Sequence, residues 1–155
     1  MEKQLLPFKS DGCSAWPEGT KGKENLWIHC CFKHDIAYWL GGSEEARKSS
    51  DKEFKSCLKK LNKHAADVMY IGVRNFGSPY LDTNFKWGYG WTYERGYLTL
   101  NQRELSFAKK FLPKKGENMR NFLHLKKINE ESKLPAIVLV QENFPLFQYD
   151  NNSSK

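Results

Sequence analysis

The sequence feature that most constrains the fold is a glycine pair between two stretches that lack helix-breaking residues. Residues 25–40 and 43–71 contain no Gly or Pro, and Gly41–Gly42 lies between them. Glycine readily adopts the left-handed conformation that ends a helix. Ser43, followed by two glutamates, is a typical N-cap with acids in the first helical turn. We therefore predict helices over 25–40 and 44–68, joined by a short connection into an antiparallel hairpin.

Reactive side chains come level with one another across such a hairpin, where facing residues have position numbers with a near-constant sum. The sum is 85 for His34 with Asp51, 85 for Tyr38 with Arg47, and 87 for Cys30 with Cys57. With a rise of about 1.5 Å per residue, Cys30 lies about 6 Å from His34 on the same helical face. This register predicts a disulfide across the hairpin, beside a hydrogen bond between an imidazole and a carboxylate.

A second acid next to the histidine suggests a cation site. Asp35 lies about 100° round the helix from His34, and Cys31 precedes it by one helical turn. If Cys31 is bridged to Cys13, the loop 11–14 is held beside the Asp35 carboxylate. Backbone carbonyls and a carboxylate are the hard oxygen ligands that Ca²⁺ prefers. A buried histidine between an acid and such a cation could activate water and stabilise an oxyanion.

Zinc binding is an alternative use of the same cysteines, together with His29 or His34. Cys30 and His34 have the i, i+4 spacing that allows two side chains to share a ligand. Zinc sites usually present spaced ligand pairs, however, and the adjacent Cys30 and Cys31 point to different faces. The spacing therefore favours disulfides, while a purely structural histidine remains the alternative interpretation of His34.

These residues resemble a known family. Cys30–Tyr38 is similar to the active-site helix signature of secreted phospholipase A2, and Asp51 followed by Cys57 is similar to that family's second catalytic helix. Ser10–Ser14 resembles the calcium loop of its divergent, group XII-like and bacterial members. The resemblance covers about residues 8–60, and it is specific because it joins several residue types at set spacings.

The resemblance implies a mainly α fold, in which an N-terminal calcium loop precedes two long antiparallel helices linked by a disulfide. A small irregular or β region rich in aromatics and an additional C-terminal helix would complete a single domain over 1–155. The implied function is calcium-dependent hydrolysis of the sn-2 ester of glycerophospholipids, which releases a free fatty acid and a lysophospholipid. The alternative is a catalytically silent, basic binding protein or toxin on the same scaffold that acts on membranes. Residues 72–155 match nothing in the family.

The resemblance also implies roles for individual residues. His34 would be the general base for an attacking water, Asp51 would orient its imidazole, and Tyr38 would hydrogen-bond to Asp51. Asp35 would ligate Ca²⁺. The remaining implied features are Ca²⁺ ligation by the backbone carbonyls of Gly12, Ser14 and Trp16, and the disulfides Cys13–Cys31 and Cys30–Cys57.

The sequence departs from the family pattern at two places. The Gly-Gly that usually follows the loop cysteine is replaced by the run Ser14–Gly19, which puts the third carbonyl ligand in doubt. A third disulfide across the hairpin is also absent, because Ala37 and Ser50 stand at its two expected positions.

Composition, glycine positions and capping residues give the remaining structural expectations. The 155 residues include 10 Phe, 7 Tyr and 5 Trp, which suits a folded domain. No apolar run approaches the roughly 20 residues of a membrane-spanning helix. Glycines alternate with aromatics over 72–97, as in a ribbon or a packed loop. A capping-box-like start predicts a helix over 102–111, β-branched residues predict a strand over 134–141, and 151–155 reads as a frayed tail.

The chain is basic, and its positive charge is concentrated late. The net charge is +7 and the pI is about 9.2. Residues 103–127 carry eight basic side chains against two acids. Such a stretch suits an anionic partner, either phospholipid or nucleic acid, although it could equally be a solvated face. Together with the resemblance, it leads us to expect a phospholipid membrane surface as partner, no nucleic acid, and a monomer.

The cellular location is inferred from two features that point in different directions. Residues 1–7 show no secretory signal, so the chain either stays inside the cell or has lost a signal. Persistent disulfides would place it outside the reducing cytosol. We therefore expect a secreted or periplasmic protein.

Overall fold

The structure, a computed structural model, describes residues 4–14 and 16–124 together with Leu134 and Ile137. The helices are α1 (Ile28–Leu40), α2 (Glu44–Lys59), α3 (Lys63–Phe76) and α4 (Gln102–Ala108), followed by a 3₁₀ helix at Met119–Phe122. Within the described residues the extended pairing is limited to three isolated bridges, and no strand forms. The expectation of a mainly α fold is therefore confirmed.

The connection between α1 and α2 forms as the glycine pair predicts. Gly41 and Gly42 have φ values of 75° and 132°, both in the region that favours glycine. The Ser43 side chain accepts a 3.1 Å hydrogen bond from the Ala46 amide, which caps α2. The first helix begins later than predicted, at Ile28 rather than at residue 25.

The prediction of one helix over 44–68 is wrong, because the chain breaks after Lys59 and starts a new helix at Lys63. Asn62 adopts an extended conformation, and its side chain accepts a 3.0 Å hydrogen bond from the Ala65 amide. An asparagine side chain competes for backbone hydrogen bonds in this way, so it can cap a new helix without a Gly or Pro nearby. The new helix then continues through Gly72 to Phe76, beyond the predicted end at residue 68.

Both disulfides are confirmed. Cys13 is bonded to Cys31 with a Cα–Cα distance of 5.1 Å, and Cys30 to Cys57 with one of 5.7 Å. No cysteine of the chain is left free. The two bridges tie the N-terminal loop to α1 and α1 to α2, and they lie in a small buried cluster with Trp27, Phe54 and Leu58.

The aromatic-rich segment after α3 is a turn-rich loop that packs against the end of α1. The loop donates four hydrogen bonds to carbonyls at this helix end. They run from Gly88 N to Tyr38 O (2.6 Å), Gly90 N to Trp39 O (2.9 Å), Trp91 Nε1 to Leu40 O (2.7 Å) and Trp87 Nε1 to Gly42 O (2.8 Å). The last carbonyls of a helix have no partner within it, so this loop satisfies them. A Cβ on Gly90 would lie 2.3 Å from the Trp39 ring, which explains the glycine.

The helix predicted over 102–111 is shorter in the structure. α4 begins with the expected capping box of Asn101 and Glu104, but it ends at Ala108 rather than at residue 111. The predicted strand 134–141 and the tail 151–155 fall outside the described residues, apart from Leu134 and Ile137. Ile137 is buried in the larger hydrophobic cluster.

None of the helices in the described ranges has both the length and the apolar character required to cross a bilayer.

Candidate functional site

The centre of the candidate site is a hydrogen bond between α1 and α2. His34 Nε2 lies 2.7 Å from Asp51 Oδ1, and both side chains are buried. The pairs that the register brings level are all in contact. They are Cys30 with Cys57, His34 with Asp51, and Tyr38 with Arg47. In these three pairs, residues later in α1 contact residues earlier in α2.

Asp51 is fully buried and accepts hydrogen bonds on both carboxylate oxygens. Oδ1 also accepts from the Tyr38 hydroxyl at 2.8 Å, and Oδ2 accepts from Arg74 Nη1 at 2.6 Å. Burial pushes the pKa of Asp51 up, but the hydrogen bonds from His34, Arg74 and Tyr38 and the His34 charge outweigh burial and lower that pKa. An ionised carboxylate can only accept, so the shared hydrogen belongs to His34 Nε2, and in the neutral form of the imidazole the lone pair is on Nδ1.

The imidazole of His34 is held between two aromatic rings. Its centroid is 4.3 Å from that of Phe54, with an interplanar angle of 27°, and 4.4 Å from that of Tyr38. These contacts leave the ring little freedom to rotate. Packing and the Asp51 hydrogen bond therefore orient His34 together.

His34 and Asp35 both line an open cavity of about 500 Å³. The N-terminal loop contributes Gly12, Ser14 and Trp16 to the same wall. Thr83 and Asn84 add polar groups, and apolar side chains from the other elements make up much of the remaining lining. They are Phe54 of α2, Met69, Val73 and Phe76 of α3, and Phe85 of the turn-rich loop. The cavity thus combines one polar corner with a largely apolar remainder, as ligand sites commonly do.

Asp35 occupies an environment that is unfavourable for a lone anion. Its side chain is buried, and burial raises the pKa of Asp35 well above its usual range, with the neighbouring Asp11 charge raising it further. Ser10 Oγ donates a 2.6 Å hydrogen bond to Asp35 Oδ2, and this contact favours the ionised form. Two buried or partly buried acids this close to each other suit a bound cation.

The loop beside Asp35 turns its backbone sharply. Gly12 and Ser14 have φ values of 69° and 56°, and Ser14 is the one non-glycine residue with positive φ in the described ranges. The Gly12 amide donates to Ser10 Oγ at 3.0 Å, and Ser14 Oγ donates to Asp11 Oδ1 at 2.9 Å. Backbone conformations of this kind concentrate at binding sites. Asp35, Asp11 and the carbonyls of this loop are the groups that could hold a metal.

Several residues for which the sequence predicted no role at the site also form hydrogen bonds within or beside it. Ser10 and Asp11 lie inside the loop motif, and Arg47 is level with Tyr38, so sequence signals existed for these three. Arg74 and Tyr89 had none. The Tyr89 hydroxyl donates to Lys9 O at 2.6 Å and lies 3.3 Å from Asp35 O, which ties the turn-rich loop to α1 beside the acid.

A second group of potential metal ligands lies at the Cys30–Cys57 disulfide. The ligand atoms of His29, Cys30 and Cys57 lie within 4.8 Å of one another. Zinc is bound by thiolates, whereas both of these sulfurs are bonded to each other. The zinc alternative is therefore not supported while this bridge is intact.

Comparisons with protein-family models, with curated proteins and with solved structures gave no match.

Proposed function

We propose that this protein is a calcium-dependent phospholipase A2, which hydrolyses the sn-2 ester of glycerophospholipids. The observation that carries the proposal is the 2.7 Å hydrogen bond from His34 to Asp51, beside a cavity that His34 shares with Asp35. The antiparallel, disulfide-linked arrangement of α1 and α2, with a calcium loop before them, is part of the proposal. The reverse order of contacts between the helices supports it.

The base in this mechanism is His34. With its Nε2 hydrogen donated to Asp51, the imidazole has a free lone pair on Nδ1 that can take a proton from a water in the cavity. The resulting imidazolium is stabilised by the buried Asp51 carboxylate, whose pKa is lowered by its hydrogen bonds. Tyr38 holds the same carboxylate oxygen and so limits its movement.

The residues around Asp35 fit a calcium ion. Its buried carboxylate lies beside that of Asp11, and a divalent cation would offset the burial and the Asp11 repulsion that together raise the Asp35 pKa. Gly12, Ser14 and Trp16 line the same cavity, and their carbonyls are the proposed further ligands. When bound, Ca²⁺ would supply positive charge to polarise the ester carbonyl and to stabilise the oxyanion that forms. The Ser14 amide is the chain's own candidate donor to that oxyanion.

The apolar part of the cavity suits a substrate with a hydrocarbon chain. Met69, Val73 and Phe76 present one face of α3 to the cavity, at the spacing that places them on one stripe. Burial of each methylene of an acyl chain contributes about 0.8 kcal/mol. A fatty acyl ester therefore gains binding energy that a short ester lacks.

The test is release of free fatty acid from phosphatidylglycerol and phosphatidylcholine vesicles, with Ca²⁺ or with a chelator. We expect calcium-dependent release that falls by at least about 10²-fold in His34→Gln, the contribution of a positioned base. Asp51→Asn should be less severe, because it disturbs the orientation of His34 and leaves the oxyanion donors in place. His64→Gln, which changes an exposed histidine, is the matched control and should retain wild-type activity.

Two outcomes would contradict the proposal. Vesicle binding without hydrolysis by the wild-type protein would favour the catalytically silent membrane-binding alternative. Hydrolysis by folded His34→Gln at the wild-type rate would exclude His34 as the base.

The location and partner belong to the same proposal. Two disulfides are typical of proteins from oxidising compartments, which supports secretion or export to a periplasm. A phospholipid surface is the proposed partner, contacted by a monomer.

A further inference from the structure

Arg74 of α3 lies outside the part of the chain that resembles phospholipase A2, yet it contacts the candidate catalytic pair directly. Its Nη1 donates a 2.6 Å hydrogen bond to Asp51 Oδ2, and its side chain is 28% exposed. The other carboxylate oxygen, Oδ1, accepts from both His34 and Tyr38. Arg74 is therefore the hydrogen-bonding partner of the oxygen that His34 does not use.

Because the two carboxylate oxygens of Asp51 have different partners, Arg74 can influence the geometry of the hydrogen bond between Asp51 and His34. A carboxylate that is held through one oxygen alone can rotate about its terminal bond, because that torsion has a broad energy well. The hydrogen bond from Arg74 to Oδ2 opposes such rotation. It thereby keeps Oδ1 in line with the Nε2–H bond of His34.

Arg47 fixes the backbone from which Arg74 extends. Its Nη2 donates to the carbonyls of Val73 (2.8 Å) and Arg74 (3.0 Å), and its Nε donates to the Tyr38 hydroxyl (3.0 Å). Arg47 is buried, and its Nη1 donates to the hydroxyl of Tyr97 at 2.9 Å. The Arg47 side chain thus holds the end of α3 against α1 and α2. The hydrogen bond to Asp51 Oδ2 comes from Arg74.

The charges around Asp51 agree with this assignment. The groups that face it are His34 and Tyr38 from α1, Arg47 from α2 with Nε 4.0 Å from Oδ2, and Arg74 from α3. Of the two arginines, Arg74 is the one that donates a direct hydrogen bond to this carboxylate. A charge-assisted bond of this kind is stronger than one between neutral groups and favours the ionised acid.

We infer that Arg74 is a positioning residue of the proposed hydrolysis, which orients the Asp51 carboxylate toward His34 through the oxygen that His34 does not contact. The inference rests on the proposed function, but its test includes a measurement that does not depend on turnover.

The kinetic test compares Arg74→Gln, Arg74→Lys and the control Lys48→Gln, at an exposed basic residue of α2 outside the stretch 103–127, with the wild type on phospholipid vesicles. We expect kcat of Arg74→Gln to fall by roughly 10- to 100-fold, by analogy with the removal of an outer-shell hydrogen-bonding partner of a metal ligand. KM should change little, because Arg74 does not line the cavity. Arg74→Lys should recover part of kcat, and Lys48→Gln should match the wild type.

The second measurement is the titration of the Asp51 carboxyl carbon by ¹³C NMR in the same proteins. Loss of the Arg74 cation should move the midpoint of Asp51 upward by about one pH unit or more. The acid limb of the activity profile should move with it. Arg74→Lys should stay close to the wild type in this titration, since it retains the charge.

The outcomes separate this inference from the proposed function. Absence of lipid hydrolysis in the wild type would refute the proposed function. An unchanged Asp51 midpoint in folded Arg74→Gln would refute the inference, whatever the activity. So would an unchanged kcat in an active protein, or a loss in which KM alone rises.

Discussion

Ser10 and Asp35 are joined by a 2.6 Å hydrogen bond between two buried side chains, in which Ser10 Oγ donates to Asp35 Oδ2. The same hydroxyl accepts from the Gly12 amide at 3.0 Å. One serine therefore links the backbone of the N-terminal loop to the acid at the polar corner of the cavity. The loop and Asp35 should respond together when this hydroxyl is removed.

Replacement of Ser10 by Ala tests that link. The change leaves the Gly12 amide without this acceptor and takes a donor from Asp35, so the free energy of unfolding should fall by about 1–3 kcal/mol. Calcium affinity should also weaken, because the loop carbonyls lose their fixed position. Urea unfolding and calorimetric Ca²⁺ titration measure the two effects. Ser106→Ala on the exposed side of α4 is the control, and equal effects of the two variants would contradict the link.

Replacement of Asp35 by Asn should separate stability from calcium binding. Without Ca²⁺ the variant should melt at a higher temperature than the wild type, because a buried charge next to Asp11 is removed while the Ser10 partner remains. Added Ca²⁺ should stabilise the wild type by up to about 2.7 kcal/mol at a hundredfold excess over Kd. The same addition should leave the stability of Asp35→Asn unchanged.

Thermal unfolding with and without Ca²⁺ measures both effects of Asp35→Asn, and the exposed Asp82→Asn is its control. We expect weak binding by the wild type, with a Kd of about 10⁻⁴ to 10⁻³ M, as in extracellular calcium modules. An unchanged calcium response in Asp35→Asn would remove Asp35 from the ligand set.

The lowered pKa of Asp51 predicts how stability depends on acid. A carboxyl whose pKa is lower in the folded than in the unfolded protein stabilises the fold above its unfolded pKa of about 3.9. That contribution is lost as the pH falls through the lower pKa of the folded protein. Asp51→Asn should therefore be less stable than the wild type at neutral pH, and the gap should narrow below pH of about 4.

Urea unfolding of both proteins between about pH 2 and 6 measures this gap. Asp82→Asn is again a suitable control, since its side chain is exposed. A gap that stays constant or widens toward low pH would show that the ionised form of Asp51 does not stabilise the fold.

The basic stretch 103–127 should raise affinity for anionic membranes without changing the chemistry. Four of its lysines are exposed, and they are Lys109, Lys110, Lys114 and Lys115. Their reversal to Glu should weaken binding to phosphatidylglycerol vesicles, most strongly at low salt, because charges are screened beyond about 10 Å at 0.1 M. Sedimentation with vesicles measures the binding, and neutral phosphatidylcholine vesicles are the control. Unchanged binding at every salt concentration would identify the stretch as a solvated face.

Local signals in the sequence determined the first two helices and the contacts between them. The glycine pair ended α1, Ser43 started α2, and the register across that turn brought His34 to Asp51 and Cys30 to Cys57. These predictions succeeded because a short turn and a fixed rise per residue leave one register for two adjacent helices. The capping box of α4 is a local signal of the same kind.

The break before α3 marks where local signals stopped being sufficient. Asparagine is favoured at an N-cap over a helix interior, but tertiary packing can override that preference, so Asn62 alone does not show that a helix ends before it. The start of a separate helix α3 determined which residues line the cavity, because α3 supplies Met69, Val73 and Phe76.

Tertiary structure alone decided the partners that come from distant parts of the chain. Arg74 reaches Asp51 across 23 positions and Tyr89 reaches the Asp35 carbonyl across 54. Periodicity in a sequence specifies which face of an element a residue occupies, but not how separate elements pack against each other. That packing depends on the burial of side chains from the whole molecule. For this reason the sequence alone identified His34, Asp35 and Asp51 as candidate site residues, while the folded chain decided which groups surround them.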